Sequence, residues 1–278
     1  MADDVLTLRE AADVLGVHYM TAYRYVRIGQ LDAVKVGGEW RITTAALDAF
    51  RSGASPAPVR PGARAPWAER LESRLIDGDS VGAWAVIDKA MGSGLAIDRV
   101  YLDVISPALV GIGERWSNGE LDIAIEHRAS NMVMRIIGRL GTQVARRGRR
   151  RGVLVVASPA GELHSLPLAI LGDLLRLEGW EVSDLGPDLP PDALVRRLHA
   201  TPDVVAVGLS ASAAGNLGSL VASCSAVRAA FPDLFVVLGG GAVHGAPHAL
   251  ELGGHGWAAS GAEMSALVSD HLAGRHDT

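Results

Sequence analysis

Residues 152–167 read GVLVVASPAGELHSLP, and this stretch indicates the fold class of the second half of the chain. An apolar run at Val153–Ala157 leads into a loop with proline and glycine, and four similar runs follow at 180–183, 204–208, 235–238 and 256–258. A helical pattern follows each run. Continuous β-branched runs between helices are typical of a parallel sheet that is covered on both faces. The sequence therefore predicts a flavodoxin-like, doubly wound α/β domain with a five-stranded parallel sheet over residues 152–275.

Ligands of such domains bind at the carboxyl ends of the strands, so the loops after strands one, three and four are candidate sites. The first loop carries Glu162 and His164, and a histidine there can bind a metal through one ring nitrogen while an acid holds the other. An ordinary surface histidine is the alternative. Small residues follow strands three and four. They either let a bulky planar ligand approach the backbone or simply form turns. They are Ser210, Ser212, Gly239, Gly240 and Gly241.

Residues 67–147 have helical periodicity throughout, with glycines that divide the region into about four helices. The clearest apolar stripe ends in Trp116, and a later helix is expected to start near Asp122, just before Glu126 and His127. The region is predicted to form a four-helix bundle. On this pattern alone, Trp116 packs in the core and Glu126 and His127 are ordinary residues of a first helical turn.

The N-terminal residues 1–50 predict a winged helix-turn-helix. Thr7 and Glu10 form a capping box at the start of a first helix, which Gly16 ends. A second helix over 18–28 precedes two alternating strands, 33–36 and 39–42, joined by a Gly-Gly turn. The following segment, 51–66, contains four prolines and no periodicity, which indicates a linker.

The second helix of a helix-turn-helix enters the major groove of DNA, and the hairpin reaches phosphate or the minor groove. Residues 1–60 carry seven basic and seven acidic residues, so one copy would bind DNA poorly and an oligomer is expected to present several. A protein-interaction module is the alternative. The candidate DNA contacts are Tyr19, Thr21, Tyr23, Arg24, Arg27, Lys35 and Arg41.

Composition excludes several classes of protein. The net charge of −5 rules out a globally basic nucleic-acid coat, and the single cysteine, Cys224, rules out a disulfide framework. The N-terminus does not read as a signal peptide, and the uncharged run 204–227 contains five serines, so we expect a cytoplasmic protein without a membrane span. Six arginines between Arg139 and Arg151 are interpreted as a solvated linker, with contact to phosphate or a partner as the alternative.

The motifs of the α/β domain resemble the cobalamin-binding module of methionine synthase and its relatives, whose pattern is D/E-x-H-x-x-G, then S-x-L, then G-G. The resemblance implies that His164 ligates cobalt from below and that Glu162 is its neighbouring acid. Pro167 replaces the glycine of the pattern and Ser212 replaces the leucine. The implied cofactor contacts also include Ser165, Ser210, Ser212, Gly239, Gly240 and Gly241.

The bundle adds a second resemblance, because Trp116 is followed after nine residues by Glu126 and His127. A W-x9-E-H pattern in a bundle before such a module is similar to the light-sensing CarH family of transcriptional regulators. It implies that Trp116 caps the adenosyl group of adenosylcobalamin, that Glu126 hydrogen-bonds it, and that His127 becomes the upper cobalt ligand after light.

Together these resemblances predict a light-responsive, adenosylcobalamin-dependent transcriptional regulator that is not an enzyme. Photolysis of the cobalt–carbon bond would change the state of a dimer or tetramer and its binding to operator DNA. The alternatives are a corrinoid methyl carrier of a methyltransferase system, a cobalamin sensor indifferent to light, and a photocobilin-type receptor that also binds a bilin such as biliverdin. No arrangement of residues resembles a catalytic triad or a P-loop.

Overall fold

The first helix begins at the capping box that the sequence predicts: Thr7 accepts from the backbone of Glu10, whose side chain accepts from the backbone of Thr7. The helix ends at Gly16, which has a φ of 67°. The computed structural model divides the chain into two units, Met1–Ala65 and Pro66–Thr278. It describes residues 5–17, 19–27, 31, 33–36, 39–51, 66–144 and 151–276.

The N-terminal unit has the predicted helix-turn-helix and hairpin, together with two elements that the sequence analysis missed. The missed elements are the strand β1, which pairs antiparallel with β3, and the helix α3. The described core includes Leu8, Ala22 and Ile42. The elements are β1 (Val5–Thr7), α1 (Leu8–Leu15), α2 (Tyr19–Arg27), β2 (Val34–Val36), β3 (Glu39–Thr43) and α3 (Thr44–Arg51).

The predicted linker, 51–66, lies outside the described residues except at its two ends. Arg51 is the last residue of α3 and not part of a linker, and Pro66 directly precedes the next helix. Residues 145–150, which hold four of the six clustered arginines, also lie outside the described residues.

The bundle of the second unit consists of four helical rods, as predicted, and the third of them contains a π-helical turn, Tyr101–Ile105. The glycine and serine positions that punctuate the sequence separate the rods. Their core includes the fully buried Leu71, Ile87 and Leu140. The elements are α4 (Trp67–Asp77), α5 (Ser80–Gly92), α6 (Ile97–Val100), α7 (Ser106–Ser117) and α8 (Ile123–Val144).

The α/β part has the predicted flavodoxin-like sheet, five parallel strands in the order β5-β4-β6-β7-β8. All five residues of β4 are buried, as its apolar run requires. The strands are β4 (Val153–Ala157), β5 (Glu181–Asp184), β6 (Val204–Ser210), β7 (Phe235–Gly239) and β8 (Gly256–Trp257). The helices are α9 (Leu166–Leu177), α10 (Pro191–Ala200), α11 (Leu217–Ala230), α12 (Ala246–Glu251) and α13 (Gly261–His276).

Strands β6 and β7, whose ends carry candidate site residues, extend further than predicted. Strand β6 continues through Leu209 to Ser210, and β7 continues to Gly239, because these residues still pair with each other across the sheet. Ser210 and Gly239 are therefore strand-end residues and not loop residues. The described residues include no helix with the length and apolar character that a membrane crossing needs.

Helix α9 belongs to both parts of the second unit. Ile170 is a member of the bundle's core, while Leu168 and Leu175 pack in the core of the sheet. The buried hydroxyl of Tyr101, in the π-helical turn, donates a hydrogen bond of 2.5 Å to Asp173 Oδ2 on α9. The bundle and the sheet are thus joined by an apolar contact and by a buried polar one.

Candidate functional site

The site is centred on Glu162, a carboxylate in the loop after β4 of which only 1% is exposed. Its Oε2 accepts hydrogen bonds from the backbone N–H of Ser212 at 2.7 Å and of Ala213 at 3.2 Å. It also accepts from the side chain of Asn216 at 3.0 Å. These three donors follow β6, so the carboxylate ties the first loop to the third across the carboxyl edge of the sheet.

The other oxygen of Glu162 holds His164. Oε1 accepts from the backbone N–H of His164 at 3.2 Å and from Nδ1 of its ring. With Nδ1 bound to a carboxylate, Nε2 is the ring nitrogen left to bind a ligand. The side chain is 61% exposed, which gives a ligand access to it.

Burial raises the pKa of Glu162, but hydrogen bonds outweigh this effect. The donors are the His164 ring, the Asn216 amide and the backbone N–H groups of Ser212 and His164, and together they lower the pKa to about 2. Glu162 is therefore ionised at neutral pH. A charged acceptor fixes the orientation of the histidine ring more strongly than a neutral one.

The loop after β5 supports the first loop from the other side. Asp188 accepts a hydrogen bond from the backbone N–H of Gly161 at 2.8 Å and donates its own backbone N–H to the carbonyl of Glu162 at 2.9 Å. Asp188 adopts a left-handed conformation with a φ of 56°, which is uncommon for a residue with a side chain. The backbone at Gly161 and Glu162, shortly before His164, is therefore held by contacts from outside the loop.

Ser165 and Pro167 lie at the start of α9. Ser165 occupies the N-cap position without a side-chain capping bond, and Pro167 lies within the first two helical positions. Proline is favoured there because the N–H that it lacks has no helical acceptor. Pro167, which departs from the pattern of the cobalamin-binding modules, thus fits the helix that follows His164.

The small residues after β6 and β7 pack backbone against backbone. The backbone N–H of Ala211 donates to the carbonyl of Gly239, and that of Ala242 donates to the carbonyl of Ala211.

In the described part of the chain, the buried hydroxyl of Ser158, which directly follows β4, has no hydrogen-bond partner. A polar group that is 1% exposed and unpartnered at this edge could accept or donate a bond to a ligand.

Substitution of Gly240 by alanine is expected to destabilise the sheet domain by about 2 kcal/mol, because a Cβ would lie 2.3 Å from the Ala211 carbonyl oxygen at a φ of +89°. Gly241→Ala is the matched control, since its Cβ would meet no described atom closer than 3.5 Å. Urea unfolding measures both variants. Equal midpoints would show that the turn at Gly240 relaxes freely.

The three candidate cap residues lie at the junction of α7 and α8. Trp116 is 45% exposed and so is not a core residue, although Ile112 on the same stripe is buried. Glu126 accepts from the Ser130 hydroxyl at 2.7 Å, and its other oxygen lies 3.7 Å from His127 Nε2. Within the described residues, the hydrogen bonds and ion pairs of Glu126 and His127 remain inside α8. Their roles toward a cofactor stay predictions.

The candidate DNA contacts are divided between described and undescribed side chains. Tyr19 is 41% exposed on α2, and Thr21, Tyr23 and Arg41 are half-buried. Tyr23 packs against the domain core, so part of its ring is structural. The side chains of the remaining three candidates lie outside the described residues: Arg24, Arg27 and Lys35.

Asn216 and the two backbone N–H groups before it are site groups that the sequence analysis missed. They lie about 50 residues from Glu162 in the chain, and no local pattern links the two loops. The available signal was a lone asparagine just after the strand-three serines, at the edge where ligands of such sheets bind.

Comparisons with known proteins match three parts of the chain. A B12 binding domain model matches residues 152–267, a second B12 binding domain model matches 67–140, and a helix-turn-helix domain model matches 5–55. The chain is 33% identical over 180 residues to the HTH-type transcriptional repressor CarH of Myxococcus xanthus. This match covers 63% of this chain and 58% of CarH. It is 31% identical over 192 residues to the HTH-type transcriptional repressor CarA of the same organism. That match covers 66% of this chain and 62% of CarA.

The chain thus spans about three fifths of the length of the curated relatives that it matches. Among solved structures, its fold is similar to that of the monomethylamine corrinoid protein of Methanosarcina barkeri. The TM-score is 0.63 at 14% sequence identity, over 72% of this chain and 96% of the other.

Proposed function

Since the chain belongs to the CarH-type proteins, which combine a helix-turn-helix with B12 binding domains, we propose that it is a cobalamin-binding, light-responsive transcriptional regulator. In this proposal the helix-turn-helix binds operator DNA as part of a homo-oligomer. The chain acts as a cytoplasmic sensor and not as an enzyme. The observation that carries the cobalamin part is the contact between buried Glu162 and exposed His164.

The groups at the carboxyl edge of the sheet fit cobalamin. An imidazole whose Nδ1 is held by a carboxylate presents its Nε2 as a nitrogen ligand for a metal, and His164 has this arrangement. Glycine backbone at Gly240 and the unpartnered Ser158 hydroxyl lie at the same edge, where a bulky ligand needs small residues and polar contacts. Adenosylcobalamin, when bound, supplies a cobalt–carbon bond that visible light breaks.

We propose these roles for the chain's own residues. His164 binds cobalt from below, and Glu162, held by Ser212, Ala213 and Asn216, keeps its ring oriented. Ser210, Ser212, Gly239 and Gly240 line the channel for the nucleotide tail, and Ser165 and Gly241 are further cofactor contacts. On the bundle, the exposed ring of Trp116 covers the adenosyl group and Glu126 hydrogen-bonds it. His127, 69% exposed on α8, would supply a second nitrogen ligand to the cobalt after light.

The test is reconstitution of the full chain with adenosylcobalamin in darkness, with absorption spectra before and after green illumination. We expect an alkylcobalamin spectrum that converts to a stable spectrum of cobalt(III) with two nitrogen ligands. Binding without this conversion contradicts light sensing and favours a corrinoid carrier or a light-blind sensor. A further long-wavelength band, in protein made with biliverdin available, favours the receptor with two chromophores.

His127→Ala is expected to leave cobalamin binding and photolysis intact but to abolish the two-nitrogen spectrum, because the upper imidazole is missing. His199→Ala is the matched control, since this exposed histidine lies on α10 and contacts the ring of Phe231 at a tilted angle. Illumination of both variants under identical conditions gives the comparison. A light-state spectrum that His127→Ala leaves unchanged would sink the assignment of the upper ligand.

A further inference from the structure

Positive charge is concentrated in one part of the chain. Residues 128–161 contain eight arginines and no aspartate or glutamate, whereas the rest of the chain carries 31 acidic against 18 basic residues. The helix-turn-helix region, 1–60, is neutral overall. Binding to duplex DNA depends on cations that neutralise phosphates, and the N-terminal region alone supplies little of that charge.

Two of the eight arginines have structural roles. Arg128 donates from Nη2 to the carbonyl of Ile76 at 2.6 Å, near the end of α4. The guanidinium of Arg151 lies 4.3 Å from the centre of the Trp180 ring and donates to Ser269 Oγ at 2.5 Å. These two side chains are already engaged in contacts within the fold.

Arg135 and Arg139 differ from them. Both are exposed on α8 and, within the described residues, neither has a carboxylate within ion-pair distance. The Arg139 guanidinium lies 3.6 Å from the centre of the Trp84 ring. Stacking uses the face of a guanidinium and leaves its N–H edge for an anion. Both arginines line a groove of about 170 Å³ between α5 and α8, with Ser80, Trp84 and Met132.

We propose that this arginine surface, defined by Arg135 and Arg139 on α8, binds the phosphate backbone of duplex DNA. The inference rests on the proposed DNA-binding function and adds a second contact region to it. Arginine suits phosphate because its planar donors match two phosphate oxygens. The sequence places four more arginines shortly after the surface, at positions 146, 147, 149 and 150.

The test is the salt dependence of DNA binding by the full chain, with and without adenosylcobalamin. A fluorescein-labelled duplex of random sequence is titrated by anisotropy between 50 and 200 mM KCl. Arg135→Gln/Arg139→Gln is expected to bind about tenfold more weakly at 100 mM and to lower the slope of log K against log salt by about 1.8, since each lost phosphate contact removes about 0.9. Arg197→Gln, an exposed arginine on α10, is the matched control and is expected to behave as wild type.

A lysine pair at the same positions separates charge from fold. Arg135→Lys/Arg139→Lys retains the positive charges and is expected to restore most of the slope, and circular dichroism checks that each variant is folded. A wild-type slope in the glutamine variant would overturn the proposal. So would a change of oligomeric state without a change of slope, which would indicate an acidic protein surface as the partner.

Failure of this inference and failure of the proposed function give different results. Thr21→Asp places a negative charge on α2 and is expected to abolish DNA binding. If Thr21→Asp abolishes it while the glutamine pair leaves the slope unchanged, only the arginine surface is refuted. If the wild-type chain does not bind duplex DNA at all, both the surface and the DNA-binding function are refuted.

Discussion

Glu162→Ala is expected to destabilise the α/β domain by about 3–5 kcal/mol and to weaken cobalamin binding by about 10–100-fold. The loss of stability follows because five N–H groups lose a buried charged acceptor: one each from Ser212, Ala213 and Asn216, and two from His164. The loss of affinity follows because the group that orients a metal-binding histidine is removed. Urea unfolding gives the first quantity, and absorbance titration with adenosylcobalamin gives the second.

Glu162→Asp is the matched control, because it keeps the charge and shortens the side chain by one methylene. We expect it to retain part of both properties, as the D/E alternation in the cobalamin-binding pattern suggests. An alanine variant with unchanged affinity would show that His164 is held by other contacts or does not bind cobalt.

The same carboxylate gives a pH dependence with a defined sign. Its pKa is lowered from 4.5 to about 2 on folding, so its contribution to stability is complete above pH 4.5 and is lost as the pH falls toward 2. Between pH 5.5 and 3 the wild type is expected to lose about 2 kcal/mol from this group. Glu162→Ala lacks this contribution, so its unfolding free energy should fall less over that interval.

Asp173→Ala is the second substitution with a large expected effect, a loss of about 3–5 kcal/mol, because it removes the acceptor of two donors in a buried cluster. Tyr101 donates to Oδ2 of Asp173 at 2.5 Å, and Arg176 donates to Oδ1 at 2.8 Å. Burial, and then the hydrogen bond to Asp173, raises the pKa of Tyr101, so the phenol stays protonated and donates at all ordinary pH values.

Tyr101→Phe tests the same cluster from the other side and is expected to cost about 1–3 kcal/mol, since Asp173 keeps Arg176. A double-mutant cycle with Asp173→Ala should give a coupling of about 1–3 kcal/mol. Additive losses would mean that the hydroxyl and the carboxylate do not stabilise each other. Chemical unfolding of all four proteins supplies the data.

Sequence patterns correctly predicted the elements whose formation depends on interactions between residues close in the chain. The capping box of Thr7, the strand β4 and the four rods of the bundle each depend on residues near in sequence. The strand β1 was missed because its three residues are too few for a pattern, and it forms only by pairing with β3 about 36 residues later. Helix α3 follows β3 directly, without a loop signal to separate them.

The contacts of the site, like the elements of the fold, were predictable only where the residues lie close together in the chain. Glu162 and His164 are two residues apart, so their contact could be inferred from spacing. The contacts of Glu162 with Ser212 and Asn216 depend on strand order, which brings the loops after β4 and β6 together. The extent of β6 and β7 was underestimated because glycine and serine at their ends resemble turn residues, while the register shows that they still pair.

Helix α9 connects β4 to β5 as a crossover helix of the sheet, and it also supplies Ile170 to the core of the bundle. Four more of its residues lie against that core: Leu166, Ala169, Leu174 and Leu177. Apolar surface shared in this way is lost to both parts if either one melts. Because bundle and sheet share this apolar surface, we expect the second unit to unfold cooperatively, with a single heat-absorption peak in calorimetry.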